Sequence, residues 1–329
     1  MRTAPWNGAE IRANLGNEIQ QDSARLYAAM GLTQKWQINE HWQADAGLDR
    51  SQTIKNKGTQ LNNNVPLTSG GGLNGSAGDT TDFTAVSLGG HYNDKFWSAN
   101  SRVEYRTSTT DDKINLLAGA QHNLDGGRSV AAGFTYSDVS GALTDSTKLD
   151  VRLSAAYRPN DVAWIWLDRL DYIDDNTKDA TNGSIHTKKL INNFNANYKP
   201  NRRTQLALQY GAKYVLDSID GQGYDGFTDL MGAELRYDIT NKWDVGVHGN
   251  LLHSWNGDQK DYAVGASIGY NVMENTWISV GYNIKGFADD DFSGAEFRTK
   301  GLYLNVRVKF DQDTLGLNKP KNANALERK

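Results

Sequence analysis

Ionised side chains recur at every second position in several stretches of this 329-residue sequence. Arg102, Glu104 and Arg106 form one series, Asp150 and Arg152 a second, Glu234, Arg236 and Asp238 a third, and Arg307 and Lys309 a fourth. Arg12, Asp45, Asp49, Arg169, Asp171, Lys213, Asp244, His248 and Lys285 take equivalent positions elsewhere. A spacing of two puts such residues on one side of an extended chain. Both signs are present in near balance. Two kinds of chemistry follow: cross-strand ion pairing that stiffens a wall, or weakly selective filtering of ions if the wall encloses water.

Other chemistry finds less support. The six histidines, His41, His91, His122, His186, His248 and His253, show no metal-ligand spacing, and no serine sits in a nucleophile elbow. His253 and Ser254 are adjacent, but adjacent strand residues point to opposite faces. The Gly-rich stretch 70–78 lacks the lysine and following helix of a phosphate loop. The acidic segments 171–183, 217–226 and 288–292 offer oxygen ligands of the kind calcium takes, yet match no known calcium loop and read as solvated tips. No enzyme activity, metal or cofactor is expected. There are no cysteines, so no disulfide framework exists. The net charge of -4 argues against a general nucleic-acid partner.

The elements that carry the charges are strands. In 301–310, Leu302, Leu304, Val306, Val308 and Phe310 alternate with Tyr303, Asn305, Arg307 and Lys309. The same period of two runs through 149–158, 206–216, 231–239, 262–272 and 276–285, and more weakly through 8–16. No stretch of about eighteen apolar residues exists, which excludes a transmembrane helix but not a barrel, whose strands are half polar. Short turns are expected near Asn39, Asp94, Asp125, Asn160, Asn201, Thr240 and Asn275. Longer polar segments are expected at 107–111, 140–147, 174–184, 217–227, 256–260 and 287–298, with a low-complexity loop at 52–82. Pro159 and Pro200 fall in expected turns and Pro66 in the loop. Trp36, Trp42, Trp97, Trp164, Trp243 and Trp277 cluster beside the short turns, where an interfacial girdle belongs. Asp168 interrupts an apolar face and reads as a bulge or rim position.

The resulting expectation is an all-β, closed, antiparallel, up-and-down transmembrane barrel of about 16 strands, with about 14 or 18 as alternatives. It spans 1–312 and leaves a polar tail at 313–329. Leu302, Leu304, Val306, Val308 and Phe310 would face lipid as the closing strand, and the charged set would line a watery lumen. MRTAPWNGAE at the start shows no signal peptide, so an exported protein would be represented here by a mature or excised part.

The segments ARLYAAMGLTQKWQINEHWQADAGLDRSQT at 24–53 and GYNIKGFADDDFSGAEFRTKGLYLNVRVKFDQDTL at 281–315 resemble the C-terminal barrel of very large Gram-negative surface proteins with immunoglobulin-like repeats. The aromatic Phe310 is similarly placed to the closing residue of bacterial outer-membrane barrels and porins, although here a tail follows it. The resemblance implies an anchor and pore domain in the outer membrane, with short turns periplasmic and longer loops extracellular. Its implied partners are outer-membrane lipid and lipopolysaccharide, the barrel-assembly machinery, and passenger domains upstream in the same polypeptide. It carries over no catalytic residues. The alternatives are a free-standing porin for small hydrophilic solutes and a soluble β-barrel binding protein.

Overall fold

A computed structural model describes residues 2–20, 23–57, 82–142, 144–159, 162–180, 183–273, 276–287, 291–292 and 300–308. The described chain is all β, in one antiparallel sheet. Its strands are β1 (Arg2–Thr3), β2 (Ala9–Gln20), β3 (Ser23–Gln37), β4 (Trp42–Lys57), β5 (Phe83–Asn93), β6 (Trp97–Ser108), β7 (Asp111–Leu124), β8 (Arg128–Gly141) and β9 (Thr144–Tyr157). They continue as β10 (Trp164–Asp179), β11 (Gly183–Tyr198), β12 (Thr204–Ile219), β13 (Gln222–Asp238), β14 (Trp243–Ser254), β15 (Gln259–Met273), β16 (Thr276–Lys285) and β17 (Gly301–Val308). Each pairs with its neighbours in sequence, so the topology is up-and-down.

The count is 17 rather than about sixteen, because the two-residue β1 adds a ribbon to the edge of β2. Closure differs from expectation too. Among the described residues no register pair joins β17 to β1 or β2; Arg2 and Thr3 take the free edge of β2 opposite Arg12 and Ile11. The low-complexity loop starts later than expected, since β4 continues to Lys57; residues 58–81 and the tail 313–329 lie outside the described residues.

Alternation fixes the two faces. One cross-strand row reads Ile11, Leu32, Leu48, Val86, Tyr105 and Ile114, all exposed. The next row reads Arg12, Gly31, Asp49, Ala85, Arg106 and Lys113, with Asp49, Arg106 and Lys113 buried. On the far half of the sheet a second apolar row joins Leu206, Leu235, Val247, Ala266, Tyr282 and Leu302. Val247 is 56% exposed and Leu302 78%, whereas Arg25 and Arg106 are each 1% exposed. A water-soluble fold places these classes the other way round.

Four of the short turns are built by their own side chains, and those expected near Asn160 and Asn275 lie outside the described residues. Asn39 Oδ1 accepts the amides of His41 and Trp42 at 2.9 and 2.8 Å. Asp94 Oδ1 does the same for Phe96 and Trp97, Asn201 for Arg203 and Thr204, and the Thr240 hydroxyl for Lys242 and Trp243. A short polar side chain that bonds the backbone two and three residues on reverses the chain and delivers the next residue into a strand. The Tyr92 hydroxyl, together with the amides of Trp97 and Phe96, holds the Asp94 carboxyl below the usual carboxylate range.

At the opposite end the expected long polar segments are mostly strand. The segment 217–227 turns only at Asp220 and Gly221, with φ of 49° and 81°, a two-residue hairpin with both central residues left-handed. The segments 107–111, 140–147 and 174–184 likewise belong mainly to β6–β11, whereas 256–258 form a turn, as expected, that runs into β15 at Gln259. Cross-strand polar pairs sustain them: His186 and Lys188 both approach Asp174, at 2.7 and 3.7 Å, and Lys148 approaches Asp175 at 3.8 Å. Strands of 16 or 17 residues in β10–β13 exceed the roughly 9–11 needed to cross a hydrocarbon core.

Candidate functional site

The polar face is the candidate site. On β4–β6, Asp45 is buried and takes a 2.5 Å contact from Arg102 Nη2, with His91 at 3.3 Å. Arg102 reaches it across Gly89, where a Cβ would lie 2.5 Å from Asp45 Oδ1; glycine there makes room for the pair. Glu104 and Arg106 meet at 3.4 Å, both almost wholly buried, and the Arg106 guanidinium lies 4.5 Å above the Phe83 ring. Lys113 approaches Asp111 at 3.5 Å. Buried ions of this kind persist only when paired.

Across β9–β10, the Asp171 carboxylate takes Arg152 on one oxygen at 2.6 Å and Arg169 on the other at 2.7 Å. Asp150 shares this face and Arg102's row. On β13 and β14, Arg236 donates to Glu234 at 2.7 Å and to Asp244 at 3.1 Å, while Asp238 is directly opposite Asp244. His248 Nε2 is 3.0 Å from Asn283 Oδ1. Arg12 and Arg2 both contact Glu10 at the start of β2. Lys213 is on the polar face of β12, opposite Ile191 and Thr228.

Two sequence assignments change face. Lys285 is directly opposite Val264 because a bulge skips Ile284, and its ammonium lies 3.8 Å from the centre of the Tyr262 ring on the apolar side. An extra residue in one strand inverts the parity of everything beyond it. Trp277 is opposite Asn271 and shares parity with Ser279, Gly281 and Asn283, so it belongs to the polar face. Trp36, Trp42, Trp97, Trp164 and Trp243 are exposed on the apolar face beside the short turns. Four of them pair across strands with Tyr92, His122, Tyr198 and Tyr270, at centroid distances of 4.8, 4.2, 4.4 and 4.6 Å. Leu302, Leu304 and Val306 are exposed on that face too. The side chains of Arg307 and Val308, and the whole of Lys309 and Phe310, lie outside the described residues.

Asp168 is neither bulged nor at the strand's end. Its register is continuous on both sides, opposite Ala155 and Phe194, four residues above Trp164. It accepts 2.8 Å from the Asn192 amide and edges an apolar-face groove of about 520 Å³ that Trp97, His122, Leu153 and Leu170 also line.

A further cluster was not foreseen. The segment after β16 brings Phe287, Asp291 and Phe292 onto the polar face of β12–β15. Phe292 is 1% exposed and packs with Phe287, Leu230, Ala263 and Leu252. Asp291 Oδ2 is 3.0 Å from Lys213 Nζ and 3.6 Å from Lys189 Nζ. Burial alone would raise the Asp291 carboxyl, yet the Lys213 hydrogen bond and the two lysine charges hold it below the usual range. The only sequence signal was the run ADDDF, read as a solvated tip. Among the described residues no group of three or more His, Cys, Asp or Glu could hold a metal ion.

No protein-family model matches the chain, and no curated protein matches it. Among solved structures it is similar to a bacterial polysaccharide outer membrane secretin, at 9% identity over 93% of this chain and 99% of that one, with a TM-score of 0.37. It is similar also to in-vitro folded OmpT, an outer membrane protein of Vibrio cholerae, at 10% identity over 79% and 97% with a TM-score of 0.33, and to the NanC porin, at 11% identity over 65% and 100% with a TM-score of 0.27. Likenesses at these TM-scores decide neither fold nor function.

Proposed function

We propose that this chain is a β-barrel of the bacterial outer membrane, serving as the anchor and pore domain of a larger cell-surface protein. The inversion of burial supports this reading above all: Leu, Val and Tyr side chains outside, Arg, Asp and Glu within. In lipid the apolar face needs no cover, and the paired charges line the lumen. Closure is part of this reading and not of the observed register: an edge left unpaired in hydrocarbon would cost several kcal/mol per polar group, so β17 would meet the part of the β2 edge that β1 leaves free. The aromatic turns face the periplasm and the long hairpins face outward. The partners are outer-membrane lipid and lipopolysaccharide, the assembly machinery and an upstream passenger.

An anchor is favoured over an open porin by the ions buried on β3–β7 and by the Phe292 segment seated on the opposite wall. One observation favours the free-standing porin: the Arg152 and Arg169 side chains remain 50% and 39% exposed, as a water-filled lumen would leave them. Two measurements test these readings. A barrel refolded in detergent migrates differently on gels before and after boiling; a chain that stays folded and monodisperse without detergent overturns the membrane reading. In planar bilayers the anchor stays closed, and steady ohmic conductance of the unmodified chain shifts the reading to the porin.

A further inference from the structure

The Phe292 segment occupies its wall in the manner of a ligand. Gly211 forms the floor: a Cβ there would lie 2.5 and 2.7 Å from two carbons of the Phe292 ring. Leu230 and Ala263, both 0% exposed, close the sides. Lys213 does two things at once, holding the Asp291 carboxylate and placing its ammonium 5.2 Å from the centre of the Phe292 ring. Lys189 adds a second cation to the same carboxylate oxygen. An apolar floor sized for one aromatic ring, with two lysines beside it, is complementary to an anion bearing an aryl group. Elsewhere on this sheet Arg102, Arg106, Arg152 and Arg236 contact carboxylates that are themselves on strands, and Arg25 contacts Asp82, which immediately precedes β5. Lys189 and Lys213 instead meet one supplied by the segment after β16.

We propose that the pocket formed by Gly211, Leu230, Ala263, Lys189 and Lys213 binds small aryl carboxylates, with Asp291–Phe292 as its built-in occupant. The inference rests on the lumen reading above, which places the pocket within reach of solutes entering the barrel. A free aryl carboxylate and the segment compete for the same lysines and floor. The apparent affinity of the unmodified chain is therefore reduced by the fraction of time the segment is docked.

The test uses the full chain refolded in detergent, with 3-phenylpropionate as the probe and calorimetry as the readout. In the Asp291→Asn/Phe292→Ala double variant the probe binds at least tenfold more tightly than in the unmodified chain. Adding Lys213→Ala and Lys189→Ala to that background removes the gain, and cyclohexylamine, a cation of similar bulk, does not bind. Phe292→Ala alone, which keeps the Asp291 carboxylate, gives an intermediate gain. The proposal is overturned if the double variant binds no probe while keeping its boiling-dependent gel shift, or if binding survives loss of both lysines. Loss of the gel shift in the unmodified chain instead overturns the barrel reading itself, which separates the two failures.

Discussion

Substitution of Val247 by arginine asks most directly what the apolar face touches. Val247 is on β14, four residues after Trp243, and is 56% exposed between Leu235 and Ala266. Four residues advance about 14 Å along a strand, and a tilt of about 40° makes that about 10 Å of depth beyond the tryptophan girdle. The apolar band is about 25 Å tall, so Val247 sits close to its middle. An arginine there costs about 2–4 kcal/mol if the surroundings are hydrocarbon. That is a loss of about 30-fold to 900-fold in the folding equilibrium. Ile239, also exposed but in the turn beside Trp243, provides the matched control, since arginine near the interface costs about 0–1 kcal/mol. If the face met water instead, both changes would fall within about 0.5 kcal/mol of zero. Reversible urea unfolding in liposomes, followed by tryptophan fluorescence, reads the difference. Equal and negligible effects at both positions would refute the reasoning, because hydrocarbon around Val247 predicts a penalty that an interfacial Ile239 does not.

Asp171→Asn removes the charge that Arg152 and Arg169 share, and is expected to lower the unfolding free energy by about 1–3 kcal/mol in the same assay, while Arg152→Ala, at a half-exposed position, costs less. Asn39→Ala deletes an acceptor of two turn amides, and a loss of about 0.5–1.5 kcal/mol with an unchanged circular dichroism spectrum is expected. The depressed Asp291 carboxyl makes docking of its segment pH-dependent: the contribution is complete above the ordinary carboxylate value of about 3.9 and is lost as pH falls through the lowered folded value. The difference in unfolding free energy between the unmodified chain and Asp291→Asn should accordingly shrink on acidification through that window, read in the same urea assay.

What the sequence revealed about this fold was what depends on neighbours along the chain. Parity is such a property: once Leu302, Leu304 and Val306 are seen to alternate with polar residues, their common face follows from strand geometry. Turns are another, because Asn39, Asp94, Asn201 and Thr240 make their own hydrogen bonds within three residues. Composition misled at the other end. Asp, Thr and Lys in 174–184 and 217–227 resemble loop sequence when read singly, yet as cross-strand partners they form ladders, and only the pairing shows it. Lys285 fails for a related reason. Its alternation within β16 is regular, and only the skipped residue in the β15 register turns it outward.

The Asp291 contact marks where local reading stops altogether. Asp291 and Lys213 are 78 residues apart, and neither has a neighbour that hints at the other. What joins them is the three-dimensional arrangement of β12–β15: Gly211 and Leu230, directly opposite each other, leave an apolar hollow on a face otherwise crowded with polar side chains. An aromatic ring gains free energy by filling such a hollow, and the carboxylate beside it gains from the two lysines at its edge. Neither gain exists until the strands are in register. Buried apolar residues on the polar face of such a sheet are therefore the feature to look for, since each needs a cover that the wall itself does not supply. Here Leu230 and Ala263 have that cover, and the chain supplies it from its own loop.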